Sequence, residues 1–89
     1  MRRNYSIAVS QRGRGDMPEI KVPSELNAIV WKIETQAGQA VAEGDTMIVL
    51  EAMKMEIPVA APRAGTVKTV LVAEKEQVAE GQPLVVLQF

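Results

Sequence analysis

The sequence predicts an all-β fold: a flattened eight-stranded antiparallel barrel or sandwich of two halves related by a pseudo-twofold axis, with a disordered N-terminal extension. Three observations carry this. From Glu19 the chain repeats itself, because a shift of 37 positions aligns 19–52 with 56–89 without a gap and ten of the 34 pairs are identical. Val41-Ala42-Glu43-Gly44 meets Val78-Ala79-Glu80-Gly81 at that offset, and internal periodicity of this kind decides a fold before any motif does. The segments 28–34, 47–52, 66–72 and 84–88 are rich in Val, Ile, Leu and Thr, are bounded by Gly, Pro, Asn or Asp, and lack helical spacing. Each copy also places a glycine, Gly44 or Gly81, where the chain must turn.

Taken in order, residues 1–16 mix Arg, Ser, Gln and Gly around one short apolar group, Ile7-Ala8-Val9. Residues 1–18 are expected to be disordered and 19–89 to form one domain. An Arg-rich, nearly acid-free start has the general character of a transit peptide. The preferred reading is plainer: strand-like sequence opens at Met17, so the preceding residues are an upstream extension of the reading frame and the protein is cytoplasmic. From Met17 onward six Lys/Arg face ten Asp/Glu, a net of −4. That acidic balance argues against a nucleic-acid surface. Apolar runs are far shorter than the ~20 residues of a membrane span. Cysteine and histidine are both absent, which removes disulfides, Cys/His metal sites and the usual nucleophiles and general base, and argues against an enzyme.

The repeat sorts the faces of the strands. Val30 matches Val67 and Ile33 matches Val70, whereas Trp31 matches Lys68 and Ile29 matches Thr66. Val30, Ile33, Val67 and Val70 are therefore placed inside and Trp31 at least partly outside. Inward positions three residues apart break strict alternation and call for a bulge or a strong twist between them.

Between the two copies lies Glu51-Ala52-Met53-Lys54-Met55. A join between antiparallel strands is a hairpin, and Met53-Lys54 would be its two-residue tip, held out in solvent. Neither residue is the Asn or Gly that such a turn prefers, so a demand other than folding fixes them. A lysine is protonated at neutral pH and a poor nucleophile, so the interest of Lys54 lies in what becomes attached to it.

The run Glu51-Ala52-Met53-Lys54-Met55-Glu56 resembles the attachment signature of biotin carboxyl carrier proteins and of the biotinyl domains of biotin-dependent carboxylases. The similarity extends over 19–88, through Val30-Trp31-Lys32-Ile33, Val41-Ala42-Glu43-Gly44-Asp45, Ala61-Pro62-Arg63-Ala64-Gly65-Thr66-Val67 and Glu80-Gly81-Gln82-Pro83-Leu84. It implies that a biotin protein ligase acylates Lys54, with Glu51, Ala52, Met53 and Met55 as recognition residues. It further implies that covalent biotin carries carboxylate from a biotin carboxylase to a carboxyltransferase, on a domain that is monomeric by itself and has no catalytic residue. The sequence departs from the family at Ser24-Glu25-Leu26-Asn27-Ala28, where a Pro-Met-Pro-Gly type of turn is usual; Asn27 is expected to supply a left-handed residue if one is needed. The gapless repeat leaves no room for the protruding thumb of some carriers. Two other readings compete: a lipoyl-type carrier, which generally has Asp-Lys at the tip, and an unmodified module of the kind found in membrane-fusion adaptors.

Overall fold

A computed structural model describes residues 18–89; apart from Pro18, whose carbonyl accepts a hydrogen bond from Phe89 N–H, the expectations for the N-terminal extension fall on residues outside these. The strands are β1 (Glu19–Pro23), β2 (Ala28–Ile33), β3 (Ala40–Val41), β4 (Thr46–Ala52), β5 (Met55–Ala60), β6 (Gly65–Val70), β7 (Gln77–Val78) and β8 (Pro83–Gln88), with no helix among the described residues. They form two four-stranded antiparallel sheets, ordered β1-β8-β6-β3 and β5-β4-β2-β7. Adding 37 residues turns β1 to β4 into β5 to β8, and it turns one sheet order into the other. The predicted all-β, pseudo-twofold architecture is thus the one found. Each sheet, however, takes two strands from each copy of the repeat, so the halves interlock instead of lying side by side.

The symmetry reaches individual hydrogen bonds. Gly44 N–H donates to the Ala61 carbonyl at 2.8 Å, and Gly81 N–H to the Ser24 carbonyl at 2.7 Å. Both glycines have positive φ, 91° and 85°, a region a side chain disfavours. Gly38 N–H reaches the Val67 carbonyl and Lys75 N–H the Val30 carbonyl, each at 2.7 Å.

Burial follows the sequence argument. Val30, Met47, Ile48, Leu50, Val67, Leu84, Val85 and Leu87 are fully enclosed, with Ile33 and Val70 packed against them. The expected bulges are present: the β2–β4 register shifts between Val30 and Lys32, and the β6–β8 register between Val67 and Thr69. Two residues, Trp31 and Lys32, therefore face outward opposite Val49, and Trp31 is 44% exposed. A third shift, between Thr46 and Ile48, lets the consecutive Met47 and Ile48 both turn inward.

Candidate functional site

β4 and β5 form a hairpin in strict register near its end, with Leu50 opposite Ile57, Glu51 opposite Glu56 and Ala52 opposite Met55. Only Met53 and Lys54 remain for the turn. Both have positive φ, 51° and 66°, the signature of a type I′ turn whose twist matches the strands it joins. Outside glycine this backbone costs roughly 1–2 kcal/mol per residue. The tip is therefore tight, rigidly seated on a central strand, and occupied by residues that do not favour it.

The side chains here are displayed rather than packed. Met53 is 94% exposed and Met55 64%, and Lys54 is exposed and has no ion-pair partner among the described residues. Glu51 and Ala52 are half-buried. The structure thus brings all five residues singled out in the sequence, Glu51, Ala52, Met53, Lys54 and Met55, to one end of one hairpin. Beside the tip lies a shallow concavity of about 620 Å³ whose walls include Asn27, Ile29, Glu51, Ala52, Met53 and Gln77.

Three features of this neighbourhood go beyond the sequence reading. Glu56 faces Glu51 directly across the hairpin, a like-charge pairing that works against the strand pair; it lay inside the quoted signature. Asn27 does not adopt a left-handed conformation. Its side-chain Oδ1 instead accepts a hydrogen bond from Glu80 N–H at 2.8 Å, pinning the β1–β2 loop to the turn before β8. Its counterpart in the repeat is Ala64, so periodicity carried no signal for it. Gln77 reaches the concavity because β7 pairs with β2, placing Gln77 opposite Ile29.

No group of three or more His, Cys, Asp or Glu suited to a metal occurs among the described residues. What the geometry offers is a flexible aliphatic chain ending in a primary amine, held at the far end of a rigid sheet. A lysine so placed is sterically open to attachment of a group. Residues 17–87 match the family model described as "Biotin-requiring enzyme", and the chain belongs to this biotin/lipoyl attachment family.

The chain is 43% identical over 66 residues to the biotin/lipoyl attachment protein of Bacillus subtilis (strain 168), an alignment covering 74% of this chain and 90% of that protein. It is 39% identical over 71 residues to the pyruvate carboxylase of Aspergillus niger, covering 80% of this chain but only 6% of that protein. Among solved structures, the Kluyveromyces lactis urea carboxylase superposes with a TM-score of 0.76 at 28% identity, over 94% of this chain and 7% of that one. The match thus takes in nine-tenths of a biotin/lipoyl attachment protein and only short segments of the two carboxylases.

Proposed function

We propose that the domain is a biotin carboxyl carrier, with biotin held in amide linkage to Lys54. The observation that carries this reading is the tip itself: a lysine between two exposed methionines in a two-residue type I′ turn. The residues present suit the group. The Lys54 amine meets no competing acceptor among the described ion pairs, Met53 and Met55 offer adaptable apolar contact to more than one enzyme, and the half-buried Ala52 keeps the root of the arm narrow. Glu51-Ala52-Met53-Lys54-Met55 then serves as the patch a biotin protein ligase reads.

Attachment requires the deprotonated Nζ of Lys54 to attack the acyl carbon of an activated, adenylated biotin. A C–N bond forms, the bond from acyl carbon to phosphate oxygen breaks, AMP leaves and the amine gives up its proton. Once bound, biotin supplies a ureido nitrogen able to accept carboxylate at a biotin carboxylase and release it at a carboxyltransferase. The work of this chain is mechanical. Side chain and acyl chain together extend on the order of 12 Å, from ~1.5 Å per bond, and the I′ turn fixes the origin of that arm. Tethering makes delivery between the two enzymes effectively intramolecular.

Coexpression with a biotin protein ligase should add one biotinyl mass increment, seen by intact mass spectrometry. Lys54→Arg should abolish it and leave the fold intact. Uptake of lipoate in the presence of a lipoate ligase, with no uptake of biotin, would refute the assignment. The absence of either modification would favour an unmodified module.

A further inference from the structure

The repeat supplies an internal control, because every outward position on one sheet has a structural counterpart on the other. On the sheet that bears the hairpin, the outer face presents Ile29, Trp31, Val49 and Pro58. On the other sheet the matching positions are Thr66, Lys68, Val86 and Lys21. Lys32 also faces outward beside Trp31, where the other sheet has Thr69; one backbone therefore carries two outer faces, and the one continuous with Lys54 is the more apolar. The fold does not demand those residues, since its other half does without them.

Burial and charge point the same way. Val86, flanked in register by Lys21 and Thr69, is 7% exposed although it lies on the outer face of its sheet. Its counterpart Val49 is only half-buried, and beside it Ile29 and Trp31 stay 39% and 44% exposed. On the polar sheet Glu19 is neutralised by Lys68, with Nζ 2.6 Å from its carboxylate, and receives the Gln88 amide at 3.2 Å. The counterpart of Glu19 is Glu56 and that of Gln88 is Glu51. Those two carboxylates face each other with no ion pair among the described residues. An apolar patch holding a half-exposed Trp and edged by two uncompensated carboxylates fits a protein surface with an apolar seat and a cationic rim.

We infer that this outer face of the β5-β4-β2-β7 sheet is the surface by which a biotin protein ligase holds the domain while it acylates Lys54. The inference rests on the biotin reading above. Reach selects this occupant. The Val49–Pro58 row lies four residues from Lys54, roughly 13 Å down the hairpin at ~3.3 Å per residue. An enzyme acting at the end of the loaded arm works some 12 Å beyond the tip. The ligase must bring its bound adenylate to Nζ itself, so its walls close around the hairpin and come down this flank. A second copy is a poor fit, since these few side chains expose far less than the ~800 Å² per partner of a stable dimer.

The test exchanges faces. Ile29→Thr, Trp31→Lys and Pro58→Lys together install the residues that the other sheet already accommodates, with Trp31→Lys alone as a milder variant. Thr66→Ile with Lys68→Trp is the mirror control. Initial rates of biotin incorporation are measured against domain concentration with a biotin protein ligase, ATP and biotin, after circular dichroism has verified folding. The face exchange should raise the apparent KM at least tenfold and change kcat less than twofold, with the mirror control unchanged in both. Binding of the ligase to Lys54→Arg protein, followed by NMR, should shift amide signals of β2, β4 and β5 and lose those shifts in the exchanged protein. A KM within twofold of the parent overturns the inference. So does an unchanged ligase KM combined with slower carboxylation of the exchanged, biotinylated domain, which would assign the face to the carboxylase. Failure of the parent chain itself to take up biotin would overturn the biotin reading, and with it this surface.

Discussion

Met53→Asn should stabilise the fold and impair its modification, a pair of effects that no ordinary surface substitution gives. Met53 is 94% exposed, so its removal forfeits almost no packing within the domain. What changes is the backbone term: φ of 51° at this position costs a methionine roughly 1–2 kcal/mol, and Asn tolerates that region because its short polar side chain bonds locally. A gain of about 1 kcal/mol is expected. For a domain of this size that is an increase of about 4–8 °C in Tm, read by circular dichroism. The same change removes an apolar group that a ligase would bury, worth about 1.5–3 kcal/mol when fully enclosed, and kcat/KM for biotin incorporation should fall about tenfold. An unchanged or lower Tm would show that the turn holds no strain at Met53. An undiminished rate would show that Met53 is not gripped.

Other perturbations test the fold beneath the site. Thr35 Oγ1 is buried without a hydrogen-bond partner, and its counterpart in the repeat is Val72; Thr35→Val should add about 1–2 kcal/mol in denaturant unfolding and Val72→Thr should remove a similar amount, whereas effects of the same sign would refute the orphan hydroxyl. At Gly65 a Cβ would collide with the Gln88 carbonyl oxygen, so Gly65→Ala should cost about 1–3 kcal/mol, and the reciprocal Ala28→Gly no more than ~1 kcal/mol; equal costs would contradict that close approach. The Glu19 carboxyl is held below its ordinary value of 4.5 by the hydrogen bond from Lys68 first and from Gln88 second. A lowered carboxyl pKa stabilises above the unfolded value and loses that contribution as pH falls through the folded one. The Tm of the parent should therefore drop more steeply below about pH 4.5 than that of Lys68→Met, and parallel curves would rule the pair out as a contributor.

Much of the fold was legible because the chain states it twice. Val30 and Val67, apolar in both copies, proved internal, although Val49 and Val86, equally matched, lie on the outer faces; the three-residue step to Ile33 and Val70 located both bulges. Trp31 could be placed outside only because its counterpart is a lysine. The gathering of Glu51, Ala52, Met53, Lys54 and Met55 at a tip followed from their place at the join. What periodicity does not encode is which strands pair, because hydrogen bonds between strands are made by backbone common to every residue. The exchange of strands between sheets was therefore invisible. So was Lys75, which takes φ of 73° where the other copy has Gly38; the bond to the Val30 carbonyl holds the backbone there whatever the side chain prefers. Asn27, Gln77 and the pairing of Glu51 with Glu56 acquire meaning only when loops distant in sequence meet beside the hairpin.

The exchange of strands also imposes an order of events on synthesis. Among the described residues β1 pairs with β8 alone, with Glu19 beside Gln88, and Phe89 N–H closes onto the Pro18 carbonyl at 3.1 Å. The β4–β5 hairpin is local and can form within microseconds of leaving the ribosome, yet the sheet that supports it needs β7, and the opposing sheet needs β8 to join β1 with β6. Contacts spanning nearly the whole folded chain are the slow ones to close. Lys54 thus reaches solvent early but gains its rigid base late. An enzyme that reads the support as well as the lysine would pass over nascent and broken chains, and would spend its acyl group only on domains already able to carry it.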